Sequence, residues 1–376
     1  MAEPRLVDLA DLTPRLRRVV DHYANRFGTL VDHHPDVFPS YTRGGRWRHE
    51  GELWTDWCAG FLTGILWHCY RRIKHEWWRD KAEHYCRLLE HKQHDRAVHD
   101  LGFIFLNSYL PWYELTGDED KKQVVVTAGR TLALRFREKG QYLCSFIGPE
   151  SLFIDIMMNV PIIFYAARET GDEQLLRIAR AHCRTTERTI VRPDGGTAHE
   201  GIFDLNTGEF LRPSTHQGLH ADSDWTRGLA WSLYGFGTVY SYTNDPADLA
   251  VARRNADHFI ARCPEGMVAP WDFDAPEDDR IPDSSASAIA ASGLWQLADL
   301  CKDPAASARY QDAALTILDS LCSDRFVSWG DPDWEGVLKH GVYHKPKGLG
   351  VDESVMWGEF FFLEAVCKAL ALVDGD

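Results

Sequence analysis

The chain has 376 residues, with 41 Lys and Arg against 56 Asp and Glu, and so a formal charge of −15 with His neutral. At 44% hydrophobic and 26% charged it is neither disordered nor collagen-like, and its length suits two or three ordinary domains or one large repetitive one. No run reaches the roughly 18 apolar residues of a membrane helix. The opening MAEPRLVDLADL also lacks the basic-then-apolar pattern of a secretion signal. The expectation is a cytoplasmic protein with no membrane partner. The acidic balance leaves no basic stripe for phosphates, which speaks against nucleic acid. Nine cysteines, scattered from Cys58 to Cys367 without a C-x-x-C, form neither a disulfide framework nor a thiolate zinc site and read as small apolar fillers. His91 and His94 could share a helix face, but nothing completes a metal site around them, and a solvated face is the plainer reading. The 14 Trp, 13 Tyr and 18 Phe suit core plates and sugar platforms equally.

In chain order, the segment around 5–26 reads as an amphipathic helix, and so do 79–93, 119–138, 172–190, 246–262 and 304–321. A recurring turn precedes the later ones: Thr116-Gly117-Asp118-Glu119, Thr170-Gly171-Asp172-Glu173, Thr243-Asn244-Asp245-Pro246 and Cys301-Lys302-Asp303-Pro304, with a degenerate copy near Lys74. Gly or Asn in the left-handed conformation ends one helix, and Asp or Pro starts the next. Each amphipathic helix is followed by a longer segment and a second, more apolar helix, the last at about 355–373. Six such hairpins with few strand signals predict an all-α fold, an (α/α)6 toroid of six inner helices ringed by six outer ones. It is expected to span 1–376 as one catalytic domain, in which 1–50 carries the weakest pattern.

Stepping back roughly sixteen to eighteen residues from each turn, about 25 Å of helix, reaches six clusters. They are Asp56-Trp57-Cys58, His99-Asp100-Leu101, Phe153-Ile154-Asp155, Thr226-Arg227-Gly228, Ser284-Ser285-Ala286 and Met356-Trp357-Gly358. Polar and aromatic side chains therefore gather at one rim, at the heads of the inner helices. Commonplace helix-start residues would look similar.

The segment Ser151 to Phe164 is apolar nearly all round, as an inner helix is, and Asp155 and Asn159 are its main exceptions, four apart and on one face. A carboxyl there loses hydration, so its pKa rises towards that of a general acid. Satisfaction by buried donors is the alternative, and Pro161 supports it by freeing a backbone carbonyl. Asp100 stands at the matching level of the preceding hairpin and could simply cap its helix. Two carboxylates at one level of adjacent helices match acid/base sugar chemistry. A third cluster, Thr215-His216-Gln217-Gly218 followed by Asp224 to Trp231, sets Trp225, Arg227 and Trp231 together. Ring platforms beside a fixed cation suit a sugar bearing a carboxylate, and a structural Arg–Asp pair is the competing use of Arg227. His199 precedes the cluster on a rim loop, and the helix N-termini add positive potential.

These words, in this order, resemble the unsaturated glucuronyl hydrolases of glycoside hydrolase family 88. The likeness runs from about Trp54 to Glu364. It includes TDWCAGFLTGILW from Thr55, HDLGF from His99, FIDIMMNVPII from Phe153, THQG from Thr215, DWTRGLAWSLYGF from Asp224, WDF from Trp271, DSSASAI from Asp283, YH at Tyr343 and WGEFFFLEA from Trp357. The resemblance implies an (α/α)6 barrel that frees a 4,5-unsaturated uronic acid from the non-reducing end of lyase-made, glycosaminoglycan-type oligosaccharides. The implied chemistry is hydration of the C4=C5 enol ether, followed by spontaneous collapse of the hemiketal, with no metal or organic cofactor. By motif it implies Asp155 as general acid/base, with Asp100 as a second essential carboxyl that holds ring hydroxyls and tunes Asp155. It implies His199 and Gln217 near the uronate and the water, Arg227 and Trp231 for carboxylate binding and stacking, Trp57 as an aromatic wall, and Tyr343 and His344 at the rim. Ile147 and Leu62 depart from aromatics found in some relatives, which puts aglycone stacking in question. Lys345 and Lys347 could receive a sulfate, though a solvated basic loop is the plainer reading. Two alternatives stay open: a related toroid acting on unsaturated rhamnogalacturonan or ulvan products, with loops 195–223 and 330–352 deciding, and a non-catalytic sugar-binding or isomerase toroid. Monomer and homodimer are equally compatible with the sequence.

Overall fold

In the computed structural model, which describes residues 7–48 and 56–375, one-sided and fully apolar helices alternate along the chain. Trp54 and Thr55, at the head of the first motif, and the first two residues of the 5–26 segment lie outside the described residues. The outer helices are α1 (Leu9–His33), α3 (Glu76–Leu89), α6 (Glu119–Ala133), α9 (Glu173–Ile190), α11 (Pro246–Arg262) and α13 (Pro304–Leu321). Each leads into an inner helix or broken pair: α2 (Ala59–Ile73), α4 (Leu101–Phe105) with α5 (Tyr109–Thr116), α7 (Ile156–Asn159) with α8 (Pro161–Thr170), α10 (Thr226–Thr243), α12 (Ser284–Leu300) and α14 (Met356–Asp374). Successive inner helices pack side by side, and α14 returns to α2, so the ring closes as an (α/α)6 toroid.

Side-chain pattern explains the two rings. In α9 the buried positions Leu175, Ile178, Ala179, His182, Cys183 and Thr186 recur at three- and four-residue steps, which gives one apolar stripe for the ring inside it. In α12, by contrast, Ser284 to Leu294 is buried on every side, and its run of Ser, Ala and Gly lets neighbouring backbones approach closely. The turns behave as the sequence predicts. Lys74, Gly117, Gly171 and Asn244 are left-handed, with φ of 59°, 66°, 68° and 50°. Asp118, Asp172, Asp245 and Asp303 then accept backbone N–H groups as N-caps of the next helix. Cys301 is the exception: it stays extended at φ −78°, and Pro304 restarts the chain at the first helical position.

Two stretches differ from the sequence reading. The helix expected over 119–138 stops at Ala133, where the chain turns into a small hairpin. The expected helix start at Ser151 is a strand, because Ser151 to Phe153 pairs with a segment some fifty residues later and that long-range ladder overrides the apolar run. The strands are β1 (Thr42–Arg43), β2 (Arg46–Trp47), β3 (Phe136–Arg137), β4 (Tyr142–Leu143), β5 (Ser151–Phe153), β6 (Glu200–Phe203), β7 (Phe210–Ser214), β8 (Gly341–His344) and β9 (Leu349–Glu353). The sheet β5–β6–β7 and the hairpin β8–β9 carry residues of the rim where the inner helices begin. His91 and His94 are exposed on a short 3-10 turn, and the nine cysteines are unpaired, six of them buried. Among the described residues no helix is long and apolar enough to cross a membrane.

Candidate active site

All six clusters reached by stepping back from the turns stand at inner-helix heads, and two of them carry carboxyls with unusual freedom. Asp100 occupies the N-cap position of α4 and Asp155 that of α7, yet neither side chain bonds a backbone N–H there. The capping aspartates at the opposite end of the toroid all make that bond, so capping does not account for this pair. Both face a cavity of about 380 Å³ that is also lined by Trp57, Gln217, Arg227 and Tyr343.

Close helix packing brings the two carboxyls together. A Cβ on Gly102 would lie 2.4 Å from Asn159 Cα, so only glycine lets the head of α4 rest on α7. Asn159, the second polar exception of that segment, completes the seam. Its Oδ1 accepts from Phe103 N–H at 2.8 Å and its Nδ2 donates to the Asp155 carbonyl at 3.1 Å.

Burial raises the Asp155 pKa from 3.8 to about 6, against the opposing pull of Arg227 and the local backbone. Burial and then the neighbouring Asp155 charge hold Asp100 well above the usual carboxylate range. Each carboxyl thus holds its proton more tightly than a free aspartate does, and the two titrate as a coupled pair. His99 Nδ1 accepts from Phe146 N–H at 3.1 Å, which puts the ring proton on Nε2, 3.4 Å from Asp100 Oδ1. Burial lowers the His99 pKa to about 3, so this ring is neutral.

His199 is brought in by the strand ladder: Phe153 pairs with Glu200, and Ile154 N–H donates to the His199 carbonyl at 3.0 Å. Its Nδ1 accepts from the N–H groups of His216 at 3.0 Å and Gln217 at 3.3 Å, so Nε2 carries the proton. That Nε2 lies 3.7 Å from Asp155 Oδ2, beyond hydrogen-bond range, and neither buried atom has a hydrogen-bond partner. Burial, reinforced by nearby cationic groups, keeps His199 neutral.

Arg227, in the first turn of α10, is only 1% exposed. It donates to the Val342 carbonyl, to the Tyr343 carbonyl at 2.9 Å and to Gln217 Oε1 at 2.6 Å. The guanidinium lies 4.4 Å from the Trp225 ring centre and 5.0 Å from that of Trp357. Asp224 pins the start of α10 by accepting from Arg192, Thr197 N–H, His258 and Arg262.

The family model described as Glycosyl Hydrolase Family 88 matches residues 32–351. The chain belongs to glycosyl hydrolase family 88. An unsaturated glucuronyl hydrolase of Bacillus sp. strain GL1 is 34% identical over 327 residues, 84% of this chain and 86% of that protein. An unsaturated chondroitin disaccharide hydrolase of Streptococcus pneumoniae is 31% identical over 328 residues, 84% of this chain and 82% of that one. The crystal structure of the GL1 enzyme, described as responsible for glycosaminoglycan degradation, matches with a TM-score of 0.89 at 32% identity. The match covers 96% of this chain and 97% of that one. The toroid and the family expected from the sequence are both borne out.

Within this family 88 chain, Trp57, Asp100, Asp155, Gln217, Arg227, Tyr343 and His344 line one cavity, and His199 reaches Asp155 from behind it. Trp225 and Trp231 are not on its wall. Trp225 is buried and braces His199, with ring centres 4.6 Å apart, as well as Arg227. Trp231 is fully buried against Phe103 and Phe361, at 4.9 Å and 5.3 Å. The wall also takes in His99, Phe146, Phe153 and His216, which the sequence reading did not select. For His99 a signal was present, a histidine directly before a buried aspartate. Of the two positions singled out for aglycone stacking, Leu62 is fully buried in α2, whereas Ile147 stands on the cavity wall, 45% exposed. Lys345 is paired with Asp279 at 2.5 Å, and Lys347 lines the cavity. A larger groove of about 790 Å³ shares no residue with this cavity, and its Arg15, Arg262 and Arg280 are engaged by Asp319, Asp274 and the Ala275 carbonyl.

Proposed function

We propose that the chain hydrolyses lyase-generated, glycosaminoglycan-type oligosaccharides, releasing the non-reducing-end 4,5-unsaturated uronic acid by hydrating its C4=C5 enol ether. The observation that carries this reading is the pair of buried carboxyls at adjacent helix heads. Neither is spent on a cap, and one is poised to exchange a proton near pH 6 beside a buried arginine. Membership of family 88 and the activities named for its relatives support it.

In this mechanism protonated Asp155 gives its proton to C4, and the carboxylate left behind takes a proton from the water that adds to C5. C4 gains hydrogen and C5 gains hydroxyl. The hemiketal then opens to a ketone, and the hemiacetal left at C1 releases the saturated sugar. Asp100 holds a ring hydroxyl by a hydrogen bond, and its charge coupling to Asp155 lets it tune that carboxyl. The His199 Nε2–H is oriented to hold the water and the newly formed Asp155 carboxylate. Arg227 and the amide N–H of Gln217 receive the uronate, and Trp57 and Tyr343 supply a flat wall for the planar enoate. His344, Lys347 and Ile147 meet the next sugar at the mouth. No metal or organic cofactor enters the chemistry. The reading extends to residues 1–376 as one catalytic unit and to a cytoplasmic location, which nine unpaired cysteines favour.

The test is the loss of enoate ultraviolet absorbance from an unsaturated chondroitin disaccharide, with product masses. Gain of one water and cleavage support the hydrolase, and unchanged mass supports a binding protein or isomerase. Asp155→Asn should reduce turnover by at least about a thousandfold. A panel of lyase products that differ only in the aglycone separates glycosaminoglycan from rhamnogalacturonan and ulvan substrates.

A further inference from the structure

Asp283, at the head of α12, has an arrangement that helix capping does not exhaust. It is fully buried, and its Oδ1 accepts from Ser285 N–H at 3.0 Å and Ser285 Oγ at 2.6 Å, as an N-cap does. The same oxygen also accepts from Val342 N–H of β8 at 3.1 Å. That strand supplies the two carbonyls, of Val342 and Tyr343, to which Arg227 donates. The other oxygen, Oδ2, makes no hydrogen bond and faces Arg227 Nη1 at 3.7 Å. One side chain thus ties α12 to the strand that holds the guanidinium and places a carboxyl oxygen opposite it; burial raises the Asp283 pKa, and Arg227 is the first group to pull it back.

We propose that Asp283 is the positioning residue of Arg227: it fixes the strand whose carbonyls orient the guanidinium and supplies the counter-charge that tempers the pull of Arg227 on Asp155. The proposal rests on the catalytic role assigned above to Asp155. Asp155 faces Arg227 from α10, His199 from the residue before β6 and Asp100 from the head of α4. Asp283 faces Arg227 from α10, Val342 N–H from β8, Ser285 from its own helix and, through Ser285 Oγ, the Trp357 Nε1–H of α14 at 3.1 Å. Of these, Arg227 is the charged group common to both aspartates. Without the Asp283 charge the field of Arg227 is unopposed, the Asp155 carboxylate is favoured, and the acid form that protonates C4 persists only to lower pH.

The experiment compares the full-length parent with Asp283→Asn and Asp283→Ser, two uncharged residues that both cap helices well. The alkaline limb of kcat/KM on an unsaturated disaccharide should fall by about half a pH unit or more in both. Ser285→Ala alters the same hydrogen-bond cluster without changing charge, and its limb should stay in place. A carbon-13 NMR titration of aspartate carboxyls, with Asp155 assigned through Asp155→Asn, should show the same downward displacement without any turnover. A folded Asp283→Asn protein whose Asp155 titrates as in the parent overturns the proposal. Failure of both variants to fold overturns it too, since Asp283 would then belong to the framework alone. A parent protein inactive on every lyase product would remove the proposed reaction, while the NMR titration would still decide the role of Asp283.

Discussion

Replacing Asp155 by Asn should inactivate the protein and stabilise it. A buried aspartate held for structure is satisfied by donors, and its loss destabilises; Asp155 instead has one buried oxygen with no hydrogen bond to the protein. Its folded pKa is about 6 against 3.8 for the ordinary group, so the folded state binds the proton more tightly than the unfolded one. The stabilising contribution of that raised pKa is complete below 3.8 and is lost as pH rises through about 6. The difference corresponds to about 3 kcal/mol, at roughly 1.4 kcal/mol per pKa unit. Asn, neutral at every pH and of the same shape, avoids that loss. In urea unfolding at about pH 8, Asp155→Asn should therefore exceed the parent by on the order of 2–3 kcal/mol, and the gap should close as pH falls below about 4. Equal or lower stability of the variant at the higher pH would refute the reasoning, because it would mean that the carboxylate is solvated or paired in the folded protein.

In the proposed mechanism the same carboxyl sets the pH dependence of the reaction. Protonated Asp155 is needed, so kcat/KM should fall about tenfold per pH unit above about 6. The limb in kcat should lie at higher pH, because the bound uronate adds a negative charge that favours the protonated acid. Initial rates from about pH 4.5 to 8.5 test both, and a flat profile or the reverse order of the limbs would refute them. Gly102→Ala places a Cβ 2.4 Å from Asn159 Cα and 2.7 Å from its carbonyl oxygen, forcing the two carboxylate-bearing helix heads apart. Such overpacking costs about 1–3 kcal/mol, and a displacement near 1 Å should lower kcat by one to two orders of magnitude. Unchanged kcat and thermal midpoint would show that α4 does not need this close approach.

The toroid was legible because its turns are chemically explicit. Gly117, Gly171 and Asn244 mark left-handed backbone, and Asp118, Asp172 and Asp245 mark the caps that follow, so local steric and hydrogen-bond rules sufficed. The rim residues followed by counting along helices of fixed rise. Features that depend on partners distant in sequence were not legible. The strand Ser151 to Phe153 exists because β6 lies beside it, and an apolar run carries no mark of that. Trp231 looked like a sugar platform because composition cannot say which face of α10 turns inward, and that face packs on Phe103 and Phe361. Asp283 reads as an ordinary cap, and it is one; its contact with Val342, sixty residues on, joins segments that no local pattern connects.

A chain of charge −15 that receives a uronate needs its attraction to be local. Beyond a Debye length of about 8 Å the acidic surface is screened, so it neither steers the substrate in nor strongly repels it. Within the cavity burial holds the Asp100 pKa well above the ordinary carboxylate range and raises that of Asp155 to about 6. Arg227 and Lys347 are the cations on its wall, and Asp283 sits behind Arg227. Burial leaves the Arg227 guanidinium poorly solvated, which strengthens its pull on an anion placed beside it. The burial that raises both carboxyl pKa values also weakens their repulsion of the uronate. In the proposed mechanism, affinity for the anionic sugar and the proton supply for its C4 thus share one physical cause, the burial of the helix heads.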